Sequence, residues 1–255
     1  MRDFRLLYVS GASGSGTTLL AQILAAAPQV VTVAGKHRTL SREKDPAFRL
    51  AKRINWTTRD LWDRHGDVSL YAQARQALPR LVQELLQYEQ HAATTHLVIK
   101  RSSPFYRGDR YRPDMQDIVD LFPNSRILVI YRDPRAATYS SFRRGFAPNL
   151  HNMAVVCEEH LTLLSAQLQA LDAGSYMAFR YETWMQHAQA VTRDVAAFAG
   201  LPEQVLLDAT ERKRLDTSKN DQWRNELSPE DAAFLDTFFN EKRTRRWGFL
   251  ESVSQ

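Results

Sequence analysis

A β-rich run, Phe4 to Ser10, passes directly into the tract Gly11-Ala12-Ser13-Gly14-Ser15-Gly16-Thr17-Thr18 and then into an apolar helical segment ending near Ala27. A strand, a tight glycine turn and a helix in that order bring backbone N–H groups and a helix N-terminus to one point. That arrangement cradles a phosphate. Thr17 and Thr18 add two hydroxyl donors. A unit of this kind belongs in a parallel sheet whose ligands sit at the carboxyl ends of the strands.

The rest of the chain keeps the alternation. Strand-like runs recur at 30–33, 96–99, 126–131 and 176–179, separated by helical periodicity at 70–88, 134–144, 151–171 and 183–199. Pro79 predicts a kink or restart within the first of these helices. Ser228-Pro229-Glu230-Asp231 reads as a helix start, with an N-cap serine, proline at the first position and acids in the first turn. The expectation is an α/β fold, a single domain over residues 1–255 with a central parallel sheet and helices on both faces. Residues 36–69 and 208–227 are polar and weakly periodic, and read as insertions over the active face.

Charge narrows the ligand. The formal net charge is only +5, yet residues 35–53, 100–144 and 212–224 together carry +13, leaving −8 for the remainder. Solvated helix faces are one reading of these windows; three segments converging on one polyanion is the other. The longest apolar tract, Leu19 to Ala27, is broken by Gln22 and too short for a bilayer. No export signal is recognisable, so no membrane is expected and a cytoplasmic, reducing location is. The single cysteine, Cys157, falls on a helical stripe with His160 and Leu161, where a buried thiol and a core histidine are the default. No clustered metal-ligand set appears, and none is expected.

The glycine loop nearly spells G-x-x-x-x-G-K-[ST], but Thr17 occupies the lysine position. A P-loop-type small-molecule kinase needs that lysine on the outer phosphates. The strong strand 127–131 also ends in Arg132-Asp133, a poor match to a magnesium-holding carboxylate.

Ser15-Gly16-Thr17-Thr18 instead resembles the 5′-phosphosulfate loop [KR]-S-G-T-T of the sulfotransferases that use 3′-phosphoadenosine 5′-phosphosulfate (PAPS), with Gly14 in place of the basic residue. Four further blocks resemble that family in its own order. Residues 127–142, ILVIYRDPRAATYSSF, are similar to its 3′-phosphate block, carried by Arg132 and by Ser140 eight residues later. Tyr181-Glu182 resembles the pair that contacts the adenine. Residues 218–227, SKNDQWRNEL, are similar to the late nucleotide-binding segment of bacterial and tyrosylprotein-type members, which brings in Ser218, Lys219 and Trp223. The family's lysine falls at Lys100, closing the strand 96–99. The resemblance implies a P-loop-like loop of Gly14, Ser15, Gly16, Thr17 and Thr18 holding the donor, with 3′-phosphoadenosine 5′-phosphate (PAP) as product.

The residues agree with that chemistry. Arg132 follows the strongest strand and would project from the carboxyl edge, where a guanidinium grips phosphate bidentately. In-line sulfuryl transfer needs a base on the nucleophile and positive charge on the leaving oxygen. Lys100 can supply the charge; without the resemblance it reads equally as a solvated strand-end lysine. Cytosolic members carry a histidine two residues after the lysine, where this chain has Ser102. Tyrosylprotein-type members carry G-E-E-T-R, matched here by Gly35-Lys36-His37-Arg38-Thr39, which makes His37 the candidate base. Lys36, Arg38 and Arg101 are candidates to replace the cation absent at Gly14. The acceptor, a small molecule or peptide with a hydroxyl, phenol or amine, is expected near Trp56, Trp62, Phe105, Tyr106 and Tyr111. A non-catalytic nucleotide- or nucleic-acid-binding protein could use the same basic windows. The lack of basic runs interleaved with aromatics counts against nucleic acid, and none is expected as a partner.

Overall fold

The computed structural model describes residues 4–32, 46–61, 66–87, 94–102, 114–213 and 215–250. The strands are β1 (Arg5–Gly11), β2 (Val30–Thr32), β3 (His96–Ser102), β4 (Arg126–Tyr131) and β5 (Tyr176–Arg180). They form one parallel sheet in the order β2-β3-β1-β4-β5. β1 is central, and the chain crosses from one side of it to the other between β3 and β4. Such a reversal opens a crevice at the carboxyl ends. Register keeps those ends level: Gly11 pairs with Ser102, and Tyr131 with Arg180.

Both faces of the sheet are covered, which is why its strands read as continuous apolar runs rather than alternating ones. Leu6, Tyr8, Leu97, Ile99, Ile127 and Val129 share one buried cluster with residues from four helices. Those helices are α2 (Pro46–Asp60), α3 (Val68–Gln87), α4 (Met115–Leu121) and α6 (Leu150–Gln169). The intervening residues Leu7, Val9, Val98, Leu128 and Ile130 pack on the opposite side. There they meet α1 (Thr17–Leu24), α7 (Tyr181–Gln186), α8 (Ala188–Ala199) and α9 (Glu203–Lys213). Each fully buried leucine or isoleucine contributes about 1.5–3 kcal/mol. A third cluster joins α5 (Pro134–Phe142) and the first half of α6 to Trp223, Leu235, Phe239 and Trp247. It fixes α10 (Gln222–Glu226) and α11 (Pro229–Phe238) beside the carboxyl edge. Ser228 caps α11 as its sequence predicts, accepting from the Asp231 N–H at 3.1 Å. Cys157 and His160 are buried, and burial pushes the Cys157 thiol up to about 12. Among the described residues no helix is long and apolar enough to cross a membrane.

Three expectations change, while the 208–227 segment keeps its place beside the carboxyl edge. α3 runs unbroken through Pro79, because Leu78, Leu81 and Leu85 bury one continuous face around it. The helix expected over 183–199 is two, parted at His187, whose N–H closes α7 on the Thr183 carbonyl. The stretch 36–69 contains α2, which buries Ala51 and Ile54 against the sheet rather than lying over the active edge. Residues 208–227 hold the end of α9, a 3-10 turn at Thr217–Asn220 and α10.

α4 had no sequence signal beyond Asp114, whose side chain caps it on the Gln116 N–H at 2.9 Å. Its Asp117 carboxylate is fully buried and accepts from Arg75 Nη1 and from the Tyr71 hydroxyl, both at 2.7 Å. Removing the cation leaves a buried carboxylate without its ion partner, the costly half of a buried pair. Arg75→Ala therefore lowers stability by about 3 kcal/mol in denaturant unfolding. A loss under about 0.5 kcal/mol, the range of an ordinary surface substitution, would show that the pair does not tie α3 to α4.

Candidate active site

The loop between β1 and α1 turns through Gly14 at φ 85° and Gly16 at φ 96°. Positive φ admits glycine, and the surroundings admit nothing larger. A Cβ on Gly14 would stand 2.5 Å from the Ala137 carbonyl oxygen of α5, and one on Gly16 would stand 2.7 Å from the Tyr181 ring. The loop is thus clamped between α5 and α7. Ser15 donates its N–H to the Ala12 carbonyl at 3.0 Å. Gly16 opens α1 with no side-chain cap, so the first N–H groups of that helix, from Thr17 onward, are left for a ligand. Thr17 is buried and Thr18 half-buried. Among the described residues, three buried polar atoms around this loop have no hydrogen-bond partner: Ser15 Oγ, Ser141 Oγ and Arg132 Nε. Buried polar groups are nearly always satisfied, so unsatisfied donors gathered at a helix N-terminus fit an anion.

Arg132 follows β4 and is 5% exposed. Its Nη1 donates to the Gly14 carbonyl at 3.1 Å, its Nη2 donates to the Lys219 carbonyl, and its guanidinium lies 4.7 Å from the Tyr181 ring centre. One side chain therefore joins the loop, α7 and the late segment. Burial pulls its pKa below the ordinary guanidinium value despite nearby Tyr181 and Glu182. Glu182 turns the other way, accepting from the Asp133 N–H at 2.9 Å. Asp133 caps α5 and holds Arg135, which also reaches Asp236 at 2.6 Å. A cavity of about 450 Å³ opens beside Arg132, Arg135, Arg180 and Arg245. Its charges are largely matched, Arg135 by two aspartates and Arg245 by Glu241. The anion-seeking groups lie at the loop instead.

Lys100 stands near the end of β3, paired in register with Val9. Burial, and then the charges of Arg144 and Arg101, lower its ammonium to about 8. Arg101 points to the other side of β3 and donates to Thr58 Oγ1 of α2 at 3.3 Å, so it does not replace a loop cation. Ser140 is half-buried on α5 and accepts from Arg144 Nη2 at 3.2 Å. Arg144, which the sequence does not single out, lies in the turn after α5 and reaches back to Ser140. It makes no ion pair among the described residues, and its charge depresses both Lys100 and Arg132.

The late segment contributes backbone rather than side chains. Ser218 and Lys219 are exposed, and Ser218 Oγ donates to Asp216 at 2.6 Å. Trp223 is 1% exposed inside the third cluster, with Arg135 and Arg224 guanidiniums within 5.2 Å of its ring. The structure places it in the core rather than on a surface where a base could stack. His37, Lys36, Arg38, Trp62, Phe105, Tyr106 and Tyr111 lie outside the described residues. Among the described residues no group of three or more His, Cys, Asp or Glu is placed to hold a metal ion.

A parallel sheet with a glycine loop, a buried arginine and a desolvated lysine at one carboxyl edge defines an α/β enzyme built to hold an anionic ligand. The chain belongs to the sulfotransferase family, whose family model matches residues 7–204. No curated protein sequence matches it. Solved structures agree in fold. The sulfotransferase from Alicyclobacillus acidocaldarius superposes with a TM-score of 0.59 at 15% identity, over 100% of this chain and 97% of its own. The sulfotransferase domain of the curacin biosynthetic pathway gives 0.56 at 17% identity, over 93% and 98%. A retinol dehydratase complexed with retinol and PAP gives 0.51 at 13% identity, over 96% and 82%.

Gly14 is where this chain departs from the family loop, and the clamp explains why. Restoring a basic side chain by Gly14→Lys forces positive φ on an L-residue and drives its Cβ into a backbone carbonyl. We expect a stability loss of about 2 kcal/mol or more, seen as a thermal midpoint lowered by roughly 4–8 °C. An unchanged midpoint would show that α5 yields and the contact is soft.

Proposed function

We propose that this sulfotransferase uses PAPS and releases PAP, with Gly14 to Thr18 at the 5′-phosphosulfate and Arg132 and Ser140 at the 3′-phosphate. The observation that carries the reading is Arg132, a nearly buried guanidinium with no ion pair among the described residues, tied to the Gly14 carbonyl. PAP bound to a protein of the same fold supports it. Arg144 joins the site as a second cation beside Ser140. Tyr181 borders the adenine side, and the backbone of Ser218 and Lys219 closes over Arg132; Trp223 supports that closure from the core. The chain acts as a single domain in a reducing, cytoplasmic setting.

The donor supplies an activated sulfuryl group. Lys100 sets its ammonium where negative charge develops on the leaving phosphate oxygen, and His37 takes the acceptor's proton. The placement of His37 rests on the Gly35-Lys36-His37-Arg38-Thr39 match alone. The acceptor is a small molecule or peptide bearing a hydroxyl, phenol or amine, and a bound retinol in a similar fold supports a small organic one.

Calorimetry with PAP and AMP tests the donor. The unsubstituted chain prefers PAP, and Arg132→Ala weakens PAP roughly 10–100-fold, as loss of a charge-assisted phosphate contact requires. Equal affinity for PAP and AMP in the unsubstituted chain would sink the donor reading.

The pH profile tests Lys100. A lysine whose pKa falls from 10.5 to about 8 loses its charged form earlier on the alkaline side. kcat/KM therefore declines above about pH 8, Lys100→Arg moves that limb to higher pH, and His37→Ala removes the ascending limb. A profile that stays level up to the ordinary lysine range would remove Lys100 as the catalytic cation.

A further inference from the structure

Helix α2 is amphipathic with both faces used. Ala51, Ile54 and Thr58 bury one face against the sheet. Arg49, Lys52, Arg53 and Trp56, spaced i, i+3, i+4 and i+7, form a single exposed stripe on the other. Trp56 is 52% exposed, with the half-buried Arg59 guanidinium 5.4 Å from its ring centre. Four cations against the lone Asp60 leave the helix at +3. Seven residues further on, α3 begins with two more exposed apolar side chains, Val68 at 62% and Leu70 at 39%. These three are among the few large apolar side chains that the described residues leave exposed. This face is separate from the cavity at the sheet edge: Lys52, Arg53, Trp56, Val68 and Leu70 are not among its lining residues.

A tryptophan ringed by basic side chains on an outward helix face has a specific physical preference. The indole ring favours the boundary between water and acyl chains, and lysine and arginine stems lie along apolar surface while their heads meet phosphate. The stripe offers one apolar anchor among cations, a pattern that meets the phosphate and acyl boundary of a lipid surface. We propose that the α2 face, with Trp56 as its anchor and Lys52 and Arg53 as its principal charges, docks this protein peripherally on an anionic lipid surface. The Thr58 bond to Arg101 holds α2 at the carboxyl end of β3. The inference does not depend on the identity of the sulfuryl donor.

Co-sedimentation of the full chain with phosphatidylcholine vesicles, with and without phosphatidylglycerol, tests it. Binding is expected only with the anionic lipid, and added salt is expected to release it as exposed charges are screened. The Lys52→Glu, Arg53→Glu pair weakens partitioning by roughly 10-fold or more. Trp56→Ala weakens it further, and the blue shift of tryptophan emission on vesicle binding disappears in Trp56→Phe. PAP affinity stays unchanged in all these variants, which separates loss of docking from loss of fold or of the donor site. Equal binding to neutral and anionic vesicles, or no binding to either, overturns the proposal. So does charge-reversed protein that sediments like the unsubstituted chain. Binding to polyglutamate without binding to vesicles assigns the face to an acidic protein and overturns it as well.

Discussion

A guanidinium that is 5% exposed, with no ion pair among the described residues, is the charge around which this sheet edge is organised. Arg132 spends both terminal nitrogens on backbone carbonyls, of Gly14 and of Lys219, and rests on the Tyr181 ring. Carbonyl dipoles and a π face soften the desolvation of a buried cation without neutralising it. Its pKa is accordingly pulled down by burial, and an anion would restore what burial takes away. The same three contacts bring together parts of the chain separated by 118 and 87 residues. Charge and geometry are set by one side chain.

The carboxylates that could quench Arg132 are kept occupied. Glu182 follows Tyr181 directly, yet its Oε1 accepts the Asp133 N–H. Asp133 is committed to capping α5 and to Arg135; burial would push its carboxyl up, but Arg135 outweighs that and holds it below the ordinary value. Arg135 in turn engages Asp236. This chain of pairs turns negative charge toward α11, away from the loop. Of the ten basic residues in 100–144, several are spent similarly: Arg126 lies over Phe198, Arg143 pairs with Glu226, and Arg101 turns to α2. Arg49, Lys52 and Arg53, from the first basic window, lie on the exposed face of α2. Among the described residues, the cations left without a carboxylate partner near the loop are fewer than the window sums imply. They come down to Lys100, Arg132 and Arg144.

How far the sequence could be read follows from where each signal originates. The five strands were legible because burial on both faces writes uninterrupted apolar runs, as in Ile127 to Tyr131. The placement of the loop and of Arg132 was legible because it follows chain-local order: strand, turn, helix. α2 was hidden because two core side chains, Ala51 and Ile54, give a thin stripe among cations. The break at His187 is a local backbone event, its φ of −123° and ψ of 49° leaving the helical region, and the apolar spacing of Trp184 and Val191 runs across it without a mark. Trp223 was ambiguous for a like reason: an aromatic ring between basic residues looks the same in sequence whether it stacks on a base or fills a core. Arg144 needed the three-dimensional proximity of Lys100 and Arg132 to acquire meaning.

The departure at Gly14 then becomes intelligible as a matter of distance. A loop that carries its own cation must hold that residue's Cβ clear of α5, whereas here the Ala137 carbonyl approaches to where a Cβ would stand. That close approach leaves the N–H groups of the N-terminal turn of α1, rather than a loop side chain, as the donors the loop itself presents. A cation at a helix end is anchored by its own turn and can be placed without distorting the loop. Arg144, in the turn that follows α5, reaches back to Ser140, meets no carboxylate among the described residues, and depresses the Lys100 ammonium.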